Sequence, residues 1–188
     1  WTSGGDSLQV TNPGANGTIA MWARMDIDAV SQAYPLLWDS APEGSSQAWK
    51  AYSVFSNNGV QETFGLYSRI DENNWVALIN NTPKEQWFHY AFTWSDNVDG
   101  TKDIALYIDG QEISNMTGTF TPADSVIRLG GGGPSLGHSK WQGDMDEVYV
   151  YDSALSAEEV SQVMSIPEPA TMFLLGFGAL GVARRKKK

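Results

Sequence analysis

From Gln86 to Ser95 the chain sets Phe88, Tyr90, Phe92 and Trp94 against Trp87, His89, Ala91 and Thr93. A two-residue period with large rings on one phase is the pattern of a strand laid against a core. A helix would scatter the same four rings around its axis. Thr18–Asp26 repeats the pattern, with Ile19, Met21, Ala23 and Met25 against Ala20, Trp22 and Arg24, and Asp103–Ile108 does so with Ile104, Leu106 and Ile108. Asp109-Gly110 follows that third run, the dipeptide a type I′ turn requires, so Gln111–Ser114 is predicted to return antiparallel. Further strands are predicted at Pro35–Trp38, Trp49–Phe55, Thr63–Arg69, Trp75–Ile79, Val126–Leu129 and Asp144–Tyr151, with Gly, Asn, Asp and Pro between them. One helix is predicted near the end. Ser156 stands three residues before Glu159 as a capping box, Val160 and Val163 supply an apolar stripe, and Pro167 limits the helix to about two turns. The fold class is therefore all-β: a two-sheet antiparallel jelly-roll sandwich with one short helix.

Beyond Ser165 the composition changes. Pro167-Glu168-Pro169 leads into the apolar run Ala170–Ala183, and Arg184-Arg185-Lys186-Lys187-Lys188 closes the chain. As a C-terminal apolar helix the run would cover about 21 Å, short of a hydrocarbon core of about 30 Å. The division is thus a sandwich domain over 1–164 and a tail over 165–188. The whole chain carries a formal charge of −10, and the tail holds five cations against one carboxylate, which leaves −14 on the domain. Phosphate backbones are bound by clustered Lys and Arg, so nucleic acid is excluded as a partner. There is no cysteine, and with it no disulfide framework or thiolate chemistry. Gly130-Gly131-Gly132-Gly133-Pro134 lacks the lysine and following helix of a phosphate-binding loop.

The tail resembles the PEP-CTERM sorting signal of Gram-negative bacteria in all three parts: Pro167-Glu168-Pro169, a short apolar helix, and a basic end that begins with Arg184 and Arg185. That resemblance implies an exosortase-type processing enzyme as partner. It also implies an inner-membrane intermediate, with the cations held on the cytoplasmic side, and delivery to the cell surface or extracellular matrix. A plain single-span tail anchor is the alternative. The chain starts at Trp1 without a Met or an apolar leader, so it is expected to be an N-terminally truncated piece.

The body resembles the laminin G-like domains of the concanavalin A-like lectin/glucanase superfamily. The resemblance is carried by Trp87-Phe88-His89-Tyr90-Ala91-Phe92-Thr93, by Leu106-Tyr107-Ile108-Asp109-Gly110, and by Gly143-Asp144-Met145-Asp146-Glu147-Val148-Tyr149-Val150-Tyr151 with Ala154-Leu155-Ser156-Ala157-Glu158-Glu159-Val160. In that comparison Gly5-Asp6-Ser7-Leu8 matches the loop into the second strand, which places the first strand outside the sequence. The family implies a surface or matrix binding module for a glycan or an extracellular protein. A structural component of an exopolysaccharide matrix and a divergent glycoside hydrolase are the alternatives. The hydrolases of the family carry Glu-x-Asp-x-x-Glu on one strand, and no Glu here is followed two positions later by Asp. The expectation is no catalytic residue and no enzyme.

Asp146 shares parity with Val148 and Val150, so it is expected to face the sheet interior, where a carboxylate needs a hard cation or backbone N–H groups. The resemblance implies one structural calcium ion at this position, with Asp6 as a partner ligand. Asp96–Asp103 lacks the spacing and terminal Glu of an EF-hand and is read as a polar hairpin loop. His89 is read as a sheet residue with both ring nitrogens satisfied. Among eight tryptophans, Trp22, Trp87 and Trp94 are assigned to the core by alternation. Trp49, Trp75 and Trp141 lie at loop edges and are the candidates for stacking on a sugar ring, with rim or core packing as the competing role.

Overall fold

The structure, a computed structural model, describes residues 8–26, 35–40, 50–54, 63–70, 75–120, 124–131 and 141–165. They form strands β1 (Leu8–Thr11), β2 (Gly17–Met25), β3 (Leu36–Asp39), β4 (Lys50–Val54), β5 (Thr63–Arg69), β6 (Trp75–Pro83), β7 (Phe88–Asp96), β8 (Lys102–Ile108), β9 (Gln111–Gly118), β10 (Val126–Leu129) and β11 (Gly143–Tyr151), then helix α1 (Ala157–Met164). All pairings are antiparallel, in a six-stranded sheet of order β1-β10-β3-β4-β5-β6 and a five-stranded sheet of order β11-β2-β7-β8-β9. The expected two-sheet sandwich is what forms. Leu8–Thr11 was not among the predicted strands: only Val10 packs on the core, and four residues are too few to display a period.

The core lies between the sheets and is filled by the phases read from the alternation. Ile19, Met21, Ala23 and Met25 of β2 meet Phe88, Tyr90, Phe92 and Trp94 of β7 and Ile104 and Leu106 of β8, with Leu37, Trp38, Leu66, Ile127 and Leu129 opposite. Each fully buried aliphatic or aromatic side chain contributes about 1.5–3 kcal/mol relative to exposure. A polar cluster lies within this core. Tyr90, fully buried, accepts the indole N–H of Trp38 at 3.1 Å and shares a hydrogen bond with the Ser68 hydroxyl at 2.9 Å.

The β8–β9 hairpin turns on Asp109 (φ 49°) and Gly110 (φ 74°), both left-handed as a type I′ turn demands. Asp109 Oδ1 also accepts the backbone N–H of His89 at 2.8 Å, tying the turn to β7. Helix α1 has the predicted capping box: Glu159 N–H donates to Ser156 Oγ, and Ser156 N–H donates to Glu159 Oε2. Its buried residues Val160 and Val163 rest on the outer face of the five-stranded sheet, against Ala20, Ala91 and Tyr107. Small residues at 20, 91 and 105 let the helix axis approach. The link from β11 into the helix is clamped by Thr18, whose hydroxyl donates to Ser153 O at 2.8 Å and accepts Leu155 N–H at 2.9 Å.

Strand β11 departs from the two-residue period. Its register on β2 shifts between Asp146 and Tyr149, and Glu147 sits at φ 47°. One extra residue there is a bulge. Met145, Val148 and Val150 pack inward, while Tyr149 and Tyr151 join the helix-covered outer face.

Candidate binding surface

Helix α1 covers part of the outer face of the five-stranded sheet. Under α1 run Tyr149, Ala20, Ala91 and Tyr107 as one cross-strand row. The next row, beyond the helix, is Asp146, Trp22 and His89, and Asp144 and Arg24 pair one step further. Trp87 immediately precedes β7 on the phase of His89, so it extends this last row beside Arg24. Trp87 is 45% exposed and Trp22 half-buried. The rings of Trp22 and His89 meet edge to face, with centroids 5.4 Å apart at 67°.

Arg24 organises the rim of this surface. Its Nε and Nη2 donate to Asp144 Oδ2 at 3.0 and 2.5 Å, and Nη1 donates to Glu85 Oε2 at 2.8 Å. Asp26 Oδ1 lies 3.5 Å from Nη2. The Asp144 hydrogen bond, with charge from Glu85, Asp144 and Asp26, outweighs desolvation and holds the guanidinium above its ordinary pKa. The backbone beneath is fastened as well: Glu85 N–H donates to Met25 O at 2.8 Å, and the Trp141 indole N–H donates to Arg24 O at 3.3 Å. Strand β11 reaches β2 closely through Gly143, at φ 154°, where a Cβ would lie 2.0 Å from Arg24 O.

His89 is 1% exposed, and its Nδ1 makes no hydrogen bond among the described residues. The expectation of two satisfied ring nitrogens is corrected there. Burial lowers its pKa from the ordinary histidine value, with Asp109 opposing.

A concavity of about 700 Å³ opens at one end of the sandwich between Asn12, Trp94, Asp96, Asn97, Lys102, Phe120 and Asp124. Its polar groups are largely committed to each other. Asn12 Nδ2 donates to Asp124 O at 2.8 Å, Lys102 pairs with Asp96, and the Trp94 indole donates to Gly14 O at 2.8 Å. The neighbouring turn closes on itself, with Thr101 N–H and Oγ1 donating to Asp99 Oδ1, as a polar hairpin loop does.

Among the residues singled out in the sequence, Asp146 is exposed, and its Oδ1 accepts Glu147 N–H at 2.9 Å. The inward orientation expected from parity is corrected, because the bulge inserts a residue between Asp146 and Val148. Calcium takes six to eight oxygen ligands. Asp144 is engaged by Arg24, and no group of three His, Cys, Asp or Glu residues gathers among the described residues. These residues do not by themselves make a calcium donor set. Asp6 and Trp49 lie outside the described residues, as do Pro167, Glu168, Pro169, Arg184, Arg185 and the C-terminal apolar run. Trp75 begins β6, and its side chain is not described. Trp141, 7% exposed, belongs to the main core rather than to an open stacking surface. Conversely, Trp87 and Trp22 leave the core assigned to them. The signal was present in their parity, since both stand out of phase with the core rings of their strands.

A two-sheet antiparallel jelly roll with a helix on one outer face defines the class as a lectin-type sandwich. The chain belongs to the concanavalin A-like lectin/glucanases superfamily, whose model matches residues 2–161, and a PEP-CTERM protein-sorting motif matches residues 165–188. No curated protein matches by sequence. Among solved structures, the native heptameric SAP-like pentraxin of Limulus polyphemus is similar at a TM-score of 0.60 and 19% identity, over 87% of this chain and 78% of that one. Domain 4 of AbnA, a GH43 extracellular arabinanase from Geobacillus stearothermophilus solved with arabinotriose, aligns at 0.51 and 18%, over 84% and 71%. The CBM40 of the Ruminococcus gnavus IT-sialidase, solved with α2,3 sialyllactose, aligns at 0.51 and 16%, over 80% and 83%. At these identities the likeness is one of fold. Among the described residues, no helix is long and apolar enough to cross a membrane.

Proposed function

We propose that this chain is an exported, non-catalytic glycan-binding module, delivered by its tail to the surface or extracellular matrix of a Gram-negative bacterium. The observation that carries the reading is the union of a lectin-type sandwich over residues 2–161 with a sorting motif over residues 165–188. Two neighbours of the same fold were solved with saccharides, arabinotriose and sialyllactose, which supports a glycan rather than a protein ligand. The carboxylates of β11 support a binding role over hydrolysis. Asp144 and Asp146 share the outer face, but Asp144 is tied to Arg24 and Asp146 accepts the Glu147 backbone N–H, so both carboxylates are engaged within the fold.

The deciding experiment is a glycan array with the full chain in detergent, with and without calcium. Binding of at least one glycan class is expected; no binding to any sugar in either condition overturns the reading and leaves a structural matrix role. Delivery is tested by mass spectrometry of surface-localised protein. Processing by an exosortase-type enzyme predicts loss of residues after the Pro167-Glu168-Pro169 segment, whereas retained Arg184–Lys188 would make the tail a plain anchor.

A further inference from the structure

We infer that the part of the five-stranded sheet's outer face built from Trp22, Trp87, Arg24 and Asp144 is a binding platform for an uncharged saccharide chain. This rests on the glycan reading above and locates its ligand on the sheet that carries α1. Trp87 provides the first argument. Phe88 fills the core at this end of β7, so Trp87 points to the outer face, where it stands 45% exposed beside a second, half-buried tryptophan. Trp22 and Trp87 are diagonal neighbours on one face, a separation of about 7–8 Å between such positions. An indole offers an apolar plate to the C–H face of a sugar ring, with polar groups free to meet the hydroxyls at its edge.

The rim supplies those polar groups in a fixed geometry. Asp144 and Asp26 are each more than half exposed, so their carboxylates meet both Arg24 and solvent. Arg24 is pinned by Asp144 and Glu85 through its side chain and by Trp141 through its carbonyl. Little rotamer freedom is left to lose on binding, which is how a preorganised surface gains affinity. Trp22 is flanked by His89 of the neighbouring strand, ring edge to ring face.

Charge and size select the ligand class. Arg24 with Asp26, Glu85 and Asp144 sums to −2, and Asp146 stands in the adjacent row. That field repels a polyanion. The apolar part is two indoles bounded on one side by α1, well under the roughly 800 Å² per partner of a stable protein interface. A narrow neutral chain with ring faces and hydroxyls fits both constraints.

The test is calorimetric titration of the full chain in detergent with dextran, a soluble β-1,3-glucan and xyloglucan. Polygalacturonate and polylysine serve as charged probes. Binding of one neutral polysaccharide is expected, with a shift in tryptophan emission. Trp87→Ala should weaken it at least tenfold and remove most of the shift while leaving the melting temperature unchanged, since Trp87 is outside the core. Arg24→Gln should weaken it too, and Asn97→Ala in the end cleft should not. If the wild type binds a neutral polysaccharide and Trp87→Ala and Arg24→Gln both stay within twofold, the platform is refuted and the glycan reading stands. If the wild type binds no saccharide, both fall. Binding of polylysine alone would overturn the inference in favour of a basic partner.

Discussion

Replacing Tyr90 by Phe removes one oxygen from the middle of the sandwich and changes nothing else in the packing shape. That oxygen accepts the Trp38 indole N–H at 3.1 Å and bonds the Ser68 hydroxyl at 2.9 Å, and all three residues are within 1% of complete burial. The substitution strands the Trp38 N–H away from water. Leaving one buried polar group unsatisfied costs about 1–3 kcal/mol, and losing the second hydrogen bond adds about 0.5–1.5 kcal/mol. A total of about 1.5–4.5 kcal/mol is expected. For a domain of this size each kcal/mol moves the melting temperature by roughly 2–4 °C, so Tyr90→Phe should melt at least about 3 °C lower. The assay is thermal unfolding of wild type, Tyr90→Phe, Trp38→Phe and the double variant. Because the Tyr90 oxygen and the Trp38 N–H belong to one bond, the double variant should be less destabilised than the sum of the singles, with a coupling of about 0.5–3 kcal/mol. A Tyr90→Phe protein within about 0.5 kcal/mol of wild type would refute the claim that this cluster is a dry, satisfied network. So would strict additivity in the cycle.

Other perturbations probe separate parts of the molecule. Gly143→Ala places a Cβ 2.0 Å from Arg24 O, a backbone atom that cannot swing aside, so a loss of about 1–3 kcal/mol in denaturant unfolding is expected together with weaker saccharide binding. His89 titrates below the ordinary histidine value of about 6.5 because it is buried, so its neutral form stabilises the fold fully above that pH. As the pH falls below about 6.5, the unfolded chain takes up a proton that native His89 refuses. Stability should therefore decline until the native ring protonates, and the slope between pH 7 and 5 should flatten in His89→Phe. For a structural calcium ion at Asp146, EDTA should lower the melting temperature of the wild type and leave Asp146→Asn unaffected; identical curves with and without EDTA would dismiss the ion.

The strands whose rings alternate over seven or more residues were legible directly, because a half-buried strand repeats its environment every second position. Phe88–Trp94 and Ile19–Met25 are the clearest cases, and Asp109-Gly110 fixed the hairpin between them and the sheet edge. The capping box named the helix start for an equally local reason. Alternation failed at β11, where the bulge at Glu147 reverses the phase of everything after it; Asp146 and Val150 have the same parity in sequence and opposite faces in the fold. Trp141 was left between stacking and core packing, since a single ring beside loop residues carries no phase, and the core takes it. Trp22 and Trp87 were misread by residue type, hydrophobic bulk outweighing the parity that set them opposite Met21 and Phe88. The rim around Arg24 was not legible at all, because Glu85, Arg24 and Asp144 come together only through sheet pairing.

The Thr18 clamp also decides how the domain bears force. The helix ends at Met164, close to Gly110, and the sorting motif starts at residue 165, so any pull through the tail enters at the hairpin edge of the five-stranded sheet. Helix α1, seated by Val160 and Val163, takes the load first. Behind it stands one threonine hydroxyl, gripping both Ser153 and Leu155 before tension can reach β11. Thr18 is thus the fuse between the tail and an edge strand that would otherwise unzip from Tyr151 toward Gly143. In single-molecule pulling from the C-terminus, Thr18→Val should lower the force at which β11 detaches, with little change when the same variant is pulled from elsewhere.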